Sequence, residues 1–370
     1  MRILVVNALD ALSQRAYAIN SIKMAEGFAS MGHEVTILCS QSKEGKVSPE
    51  KMADVYGLTK PLRWVQLPLQ FWHYPVDQHW LFTLLALPAA LRISPDLVFA
   101  RNYIFPYLSS KIGFQTVAET HAYVGYNSSR FLTMLRGTTN KRFKLLITIS
   151  RKLSSYYKRL GVPGEKLLVL PDAVDLDLFQ SPHRKPPSPF PAGKPVVVYA
   201  GHLYDYKGIP TIIEAAGLLP DINFHLIGGL PEDIKRQKIK IKELKAHNIV
   251  LHGMKKHSEV PKYLWHADVL LLPLSAEHPS AEWTSPVKLG EYLASGTPIV
   301  ASDIIALRDW LTDDDVHFVS PDDGSALAQG ILKVLNNAEY AQALVMRGLQ
   351  KAKPLSYQNR AKTILDKLLR

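Results

Sequence analysis

Two side chains of opposite charge, Lys288 and Glu291, stand three residues apart in the stretch SPVKLGEYLASGTPIVASD at 285–303. Ser285 suits a helix N-cap and Pro286 a first helical position, while Gly296 and Pro298 would stop that helix before the apolar run TPIVA. Residues three apart on a helix share a face. A base in the first turn could meet a diphosphate. A carboxylate one turn deeper could accept hydrogen bonds from two vicinal hydroxyls, as on a ribose. The same spacing also describes an ordinary surface ion pair, so the surroundings must decide.

Two more loops carry the same kind of chemistry. In AGHLYDYKG (200–208), Gly201 lets the backbone turn closely, and Lys207 with Gly208 stands just before a helix expected from Ile209. A helix N-terminus favours anions, and a lysine adds a point charge for phosphate. In LIGGLPED (226–233), Gly228 and Gly229 form another strand–glycine–helix junction. Each loop alone also reads as a tight turn or a surface lysine.

The elements that must hold these loops alternate along the chain. Apolar runs at 2–6, 34–38, 96–100, 115–119, 145–149 and 167–170 read as strands, with a helix near 15–31 between the first two. A second set lies at 196–200, 223–227, 249–252, 269–273, 297–301 and 316–319, with helical patterns in every gap. Continuous apolar strands alternating with helices imply parallel sheets covered on both faces. The proline-rich SPHRKPPSPFPAGKP (181–195) reads as a stiff linker. The expected architecture is α/β: two doubly wound Rossmann-like domains facing a cleft. Their bounds are 1–181 and 196–355, with a linker at 182–195 and an amphipathic final helix at 356–370 packing back on the first domain. Ligands in such sheets sit beyond the carboxyl ends of the strands.

Length and composition agree. The chain has 370 residues, 47% hydrophobic and 21% charged, which fits two globular domains. The single cysteine, Cys39, excludes an internal disulfide and suits a buried strand end. No signal peptide or membrane span is evident: Trp80–Leu91 is short and contains Pro88. This suits a cytoplasmic protein, peripheral on the inner face of the cell membrane if it meets lipid. The net charge of +11 is uneven, with ten bases and one acid, Glu165, between Arg130 and Lys166. Such a patch attracts anionic partners.

Taken together, the ordered pieces GHEVTIL (32–38), ETH (119–121), LPDAVDLDLF (170–179), GHLYDYKG (201–208), HGM (252–254), ADVLLLPL (267–274) and SPVKLGEYLASGTPIVASD resemble the retaining glycosyltransferases of the GT-B fold, family 4. The resemblance spans nearly the whole chain. It implies a nucleotide-sugar donor, UDP- before GDP-, with no cofactor and no metal. It implies that Glu291 holds the ribose and Lys207 neutralises the diphosphate. Gly201 and His202 form the phosphate loop, and the backbone of Ser285, Pro286 and Val287 approaches the phosphates and sugar. Gly253 and Met254 would hold the base. His121 of the first domain would reach towards the donor sugar. Glu291, Lys207 and His121 are thus the implied catalytic residues.

The chain departs from the family in places. His202 replaces the usual arginine, so Lys288 could share its work. Trp283, with Glu282 beside it, stands where a first glutamate is usual. A glycine-rich first loop is replaced by NALDALSQRAYAIN, where Arg15 and Tyr17 could face an acceptor along with His121. Asp175-Leu-Asp177 looks like a metal-binding D-x-D but falls in a turn that starts a helix in this family. The thirteen histidines show no metal-ligand spacing.

Two other classes of protein make demands that this sequence does not meet. A nucleotide-dependent oxidoreductase needs G-x-G-x-x-G after its first strand, and VVNALDALSQ has no glycine. A basic nucleic-acid binder needs a groove-reading motif, and none appears, so no nucleic-acid partner is expected. For the acceptor, the basic stretch 130–166 and the aromatic-aliphatic 71–92 suit a lipid-linked molecule at an anionic membrane surface. The uses foreseen are glycolipid, lipopolysaccharide or polysaccharide assembly; a soluble acceptor is the alternative.

Overall fold

The computed structural model describes residues 1–13, 16–69, 78–101, 103–121, 123, 129–285 and 287–369. The chain forms two compact units, residues 1–173 with 357–370, and residues 174–356.

The first unit runs β1 (Arg2–Asp10), α1 (Ala16–Ala29), β2 (Glu34–Ser40), α2 (Pro49–Tyr56), β3 (Arg63–Leu67), α3 (Gln78–Ile93), β4 (Leu97–Ala100), α4 (Phe105–Lys111), β5 (Thr116–Thr120), α5 (Ser129–Thr138), β6 (Phe143–Thr148), α6 (Arg151–Arg159) and β7 (Leu167–Val169). Its strands are parallel in the order β3-β2-β1-β4-β5-β6-β7. The order reverses between β1 and β4, a topological switch point. One face of the sheet packs Ile22, Met24 and Phe28 of α1 together with Ala361 and Ile364 of the last helix, Tyr357–Leu369. The other face packs Phe82, Ala86 and Ala90 of α3. Gly27 permits the first contact: a Cβ there would lie 2.6 Å from the Tyr357 carbonyl oxygen.

The second unit runs α7 (Leu176–Phe179), β8 (Val196–Ala200), α8 (Ile209–Leu218), β9 (Asn223–Ile227), α9 (Pro231–Glu243), β10 (Ile249–Gly253), α10 (Val260–Trp265), β11 (Val269–Leu272), α11 (Val287–Ser295), β12 (Ile299–Ser302), α12 (Ile305–Arg308), β13 (His317–Val319), α13 (Gly324–Leu335) and α14 (Ala338–Ala352). Its parallel order is β10-β9-β8-β11-β12-β13, with the switch point between β8 and β11. The strands VVVYA and VLLL are buried along their whole length because helices cover both faces.

All twelve expected strands form. The thirteenth, β3, was not foreseen: RWVQL carries Arg63 and Gln66 and is mostly half-exposed at a sheet edge, so it lacks the apolar run of a central strand. The proline-rich stretch expected as a linker at 182–195 packs within the second unit. Phe190 is buried in the second unit's core, the Lys185 ammonium donates to the Trp265 carbonyl, and His266 bonds the Pro186 carbonyl. Those prolines end regular structure without separating bodies, and the units part at Ala173/Val174 and Ser356/Tyr357. Asp175 caps α7, accepting from the Leu178 N–H at 3.2 Å, as the helix-start reading of Asp175-Leu-Asp177 requires. Cys39 is buried at the end of β2, and burial pushes its thiol up to about 12.

Among the described residues no helix is long and apolar enough to cross a membrane. Residues 71–77 of the aromatic-aliphatic stretch lie outside the described residues. Its remainder forms α3, where Leu84, Leu85 and Leu91 are exposed. Within the basic stretch, Lys166 is partly structural, donating to the carbonyls of Thr138 and Asn140 at 2.6 and 2.7 Å.

Candidate functional site

In the second unit, the loops that leave β8, β9 and β10 meet backbone to backbone at the carboxyl edge. The Gly201 N–H donates to the Ile227 carbonyl, and the Gly228 N–H to the Gly253 carbonyl, both at 2.8 Å. A Cβ on Gly228, whose φ is +117°, would lie 2.3 Å from the Gly201 oxygen. Gly208 is as constrained, with φ +80° and a would-be Cβ 1.6 Å from the Pro273 oxygen after β11. Glycine is required where backbones approach this closely in a left-handed conformation. The result is a floor of peptide groups at the switch point.

Lys288 points at that floor. A Cβ on Gly201 would lie 2.7 Å from the Lys288 Nζ. The ammonium sits 3.8 Å over the centroid of the Tyr199 ring, is buried, and has no hydrogen-bond acceptor among the described residues. Burial and then the neighbouring Lys207 hold its pKa well below the ordinary lysine value, and Glu291 offsets this only in part. Lys207 ends a single 3-10 turn, Asp205–Lys207, immediately before α8. Burial lowers its pKa too, and its ammonium is 5.0 Å from the Tyr206 ring centroid. Two desolvated cations near each other, without a carboxylate in contact among the described residues, leave positive potential uncompensated, and an anion of high charge would satisfy both.

Helix α11 carries the carboxylate. Its start at Val287 follows Ser285, which is buried; Pro286 lies outside the described residues. Tyr292 on the same helix anchors it to the sheet, its hydroxyl accepting from the Ala200 N–H at 2.7 Å. Glu291 is nearly buried, and its Oε1 pairs with the His257 Nε2 at 2.9 Å. Met254 is half-exposed beside Gly253. Behind them His225 and His252 share a 2.8 Å hydrogen bond, and burial followed by His252 pushes His225 down to about 4. The His202 ring stacks on Tyr204 at 5.0 Å and 8°. Glu282 is exposed, on the 3-10 turn that ends before Trp283.

The first unit gathers a separate polar cluster. Glu119, at the carboxyl end of β5, is buried with its Oε1 2.6 Å from the His121 Nε2. Arg360 of the last helix donates to Oε2 at 2.7 Å, and the Arg101 Nε lies 3.4 Å from Oε1. Burial raises the Glu119 pKa, but Arg360 and Arg101 more than offset this and hold it well below the usual carboxylate range. Asp172 completes the group, 3.7 Å from His121 and bonded to the Asn20 amide. Glu119, His121 and Asp172 place ligand atoms within 4.8 Å of one another, a spacing open to a metal ion. Two guanidiniums already compensate Glu119, which makes this donor set a poor match for a further cation. Tyr17 is committed within the unit: its hydroxyl donates to the Arg101 carbonyl at 3.2 Å, the Arg101 guanidinium lies over its ring at 4.5 Å, and burial pushes the phenol up to about 12. Arg15 lies outside the described residues.

The structure therefore brings Gly201, Lys207, Lys288, Glu291 and Gly253 to one edge of one sheet. Sequence reasoning missed Tyr199, His257, Arg101, Asp172 and Arg360. None carries a local signal, since each works through a partner far along the chain.

Residues 22–178 match the family model described as Glycosyltransferase Family 4, and residues 194–337 match Glycosyl transferases group 1. The chain belongs to this family of glycosyltransferases. A putative colanic acid biosynthesis glycosyltransferase of Escherichia coli is 28% identical over 195 residues, 51% of this chain and 47% of that protein. The processive diacylglycerol alpha-glucosyltransferase of Acholeplasma laidlawii is 28% identical over 202 residues, 52% of this chain and 58% of that protein. The matches thus span about half the length of these curated relatives. Among solved structures, Anabaena HepE in complex with UDP aligns with a TM-score of 0.75 at 15% identity, covering 100% of each chain. That likeness is one of fold.

Proposed function

We propose that this protein is a glycosyltransferase that moves a sugar, with retention, from a nucleotide diphosphate sugar to an acceptor hydroxyl. The observation that carries the reading is the buried Lys288 ammonium, without an acceptor of its own, against the Gly201 loop at the switch point. A diphosphate there would take up the charge of Lys288 and Lys207. Glu291 would accept from the ribose, and Gly253 with Met254 would hold the base.

In the reaction the bond from the sugar's anomeric carbon to the leaving phosphate oxygen breaks as the acceptor oxygen bonds to that carbon from the same face. The acceptor's proton passes to the departing diphosphate, so no side-chain base is needed. Negative charge grows on the phosphate oxygens, where fixed cations stabilise the transition state more than the ground state. Lys207 and Lys288 do this without a metal. Within the first unit, Glu119 orients the His121 ring.

A uridine donor is favoured over guanosine, in keeping with the UDP of Anabaena HepE. The acceptor is glycolipid or polysaccharide in character, as the names of the two relatives suggest. The exposed leucines of α3 and the basic 130–166 segment fit a lipid-linked acceptor at an anionic surface. The test is a donor panel: release of nucleotide diphosphate from UDP- and GDP-sugars, scored by slow hydrolysis without acceptor. Release from one class of donor, lost in Lys207→Ala and in Glu291→Ala proteins that remain folded, is expected. Full activity in either variant would overturn the site.

A further inference from the structure

The carboxylate of Glu291 is not left to orient itself. His257, four residues beyond Gly253, opens the 3-10 turn His257–Glu259 and donates from Nε2 to Glu291 Oε1 at 2.9 Å. The turn is itself braced: the Lys256 N–H donates to Glu259 Oε2 at 3.2 Å, and the Glu259 N–H to the Lys256 carbonyl at 2.9 Å. The imidazole packs on Phe179 of α7, with ring centroids 5.1 Å apart. Backbone and ring are thus both fixed. Among the described residues no donor reaches Glu291 Oε2.

We propose that His257 is a positioning residue for nucleotide recognition: it pins Glu291 through Oε1 and leaves Oε2 to the vicinal hydroxyls of the ribose, which makes it a determinant of ribose over deoxyribose. The inference rests on the nucleotide-sugar reading and deepens it. A glutamate side chain has three rotatable bonds, and ordering it costs entropy that binding must otherwise supply. A preset carboxylate has lost that freedom before the ligand arrives. It also penalises a sugar lacking a hydroxyl, because a nearly buried acceptor is then left without its donor. A glutamine at 257 can still donate from a similar reach, whereas leucine fills the space against Phe179 and donates nothing.

The test is calorimetric titration of UDP and 2′-deoxy-UDP, with GDP and 2′-deoxy-GDP in parallel, into wild-type protein, His257→Leu and His257→Gln. Thermal unfolding of each variant is recorded first, and His257→Asn, too short to reach, replaces the leucine variant if that fails to fold. Wild type is expected to favour the ribonucleotide by about tenfold or more, the scale of one unmet buried hydrogen bond. In His257→Leu that ratio falls at least about threefold through weaker ribonucleotide binding, and His257→Gln restores most of it. An unchanged ratio in His257→Leu, or an equal weakening of both nucleotides, would overturn the inference while leaving the nucleotide site standing. Failure of every diphosphate to bind wild type would overturn both.

Discussion

The Lys288 ammonium lies 3.8 Å from the Tyr199 ring centroid and, among the described residues, donates to no oxygen. The ring face offsets part of the cost of burying that charge, and the rest is left standing in the unliganded protein. Lys288→Met should therefore stabilise the empty protein by about 1 kcal/mol, read as a rise of about 2–4 °C in Tm. It should also weaken nucleotide diphosphate binding by about tenfold or more. Thermal unfolding with and without UDP checks both halves.

The same lysine sets a pH dependence. Its pKa is well below 10.5 in the folded protein, mainly through burial. The unfolded chain binds the extra proton between the lowered value and 10.5, so stability of the empty protein rises with pH across that window. A bound diphosphate favours the ammonium. Binding should then take up a proton at alkaline pH and weaken as pH rises through the lowered value. Titrations in buffers of different ionisation enthalpy read that proton; no uptake would contradict the placement of the phosphates.

Two glycines of the loop after β8 should fail differently. A Cβ at Gly208 would lie 1.6 Å from a backbone oxygen that cannot move away cheaply. Gly208→Ala should cost about 3 kcal/mol or more and express poorly. At Gly201 the Cβ meets the flexible end of Lys288, at 2.7 Å. Gly201→Ala should fold, at a cost of about 1–2 kcal/mol for its left-handed backbone, and lose nucleotide binding through the displaced ammonium. Soluble yield, circular dichroism and titration separate the two outcomes.

Arg360 and Glu119 form a buried pair at 2.7 Å. Breaking such a pair from one side costs about 3 kcal/mol or more, so Arg360→Met should be strongly destabilised. Despite its burial, Glu119 has a pKa well below 4.5 because of Arg360 and Arg101. Its contribution is complete above 4.5 and is lost as pH falls through the lowered folded value. Chemical denaturation from pH 3 to pH 7 should show a shallower acid loss in the variant than in wild type.

His225 has the same sign of pH dependence, nearer neutrality. Burial and His252 keep it neutral down to about 4, whereas its ordinary value is 6.5. The unfolded chain takes up this proton first, so stability should fall as pH drops from 6.5 towards 4. His225→Gln should flatten that part of the profile, as measured by urea midpoints.

Much of this molecule was legible before its structure. Buried strands such as VVVYA and VLLL announce themselves because nothing polar fits between two helical layers. Lys207, Gly208 and the α11 start were placed by turn and cap chemistry. The edge strand Arg63–Leu67 was hidden, since half-exposed edges tolerate charge. The prolines at 182–195 read as a linker, whereas the two compact units part at Ala173/Val174, where Pro171 is the sole proline nearby. The contacts that tune the site were out of reach. His257 meets Glu291 across 34 residues and Arg360 meets Glu119 across 241, and only packing decides such meetings.

The central claim is that the second unit holds a nucleotide diphosphate against Lys288. Calorimetric titration of UDP and GDP into wild type and Lys288→Met tests it most directly. Saturable one-site binding of at least one nucleotide to wild type, weakened tenfold or so in the variant, is expected. Absence of binding by wild type, or equal affinity in a folded Lys288→Met protein, would contradict it.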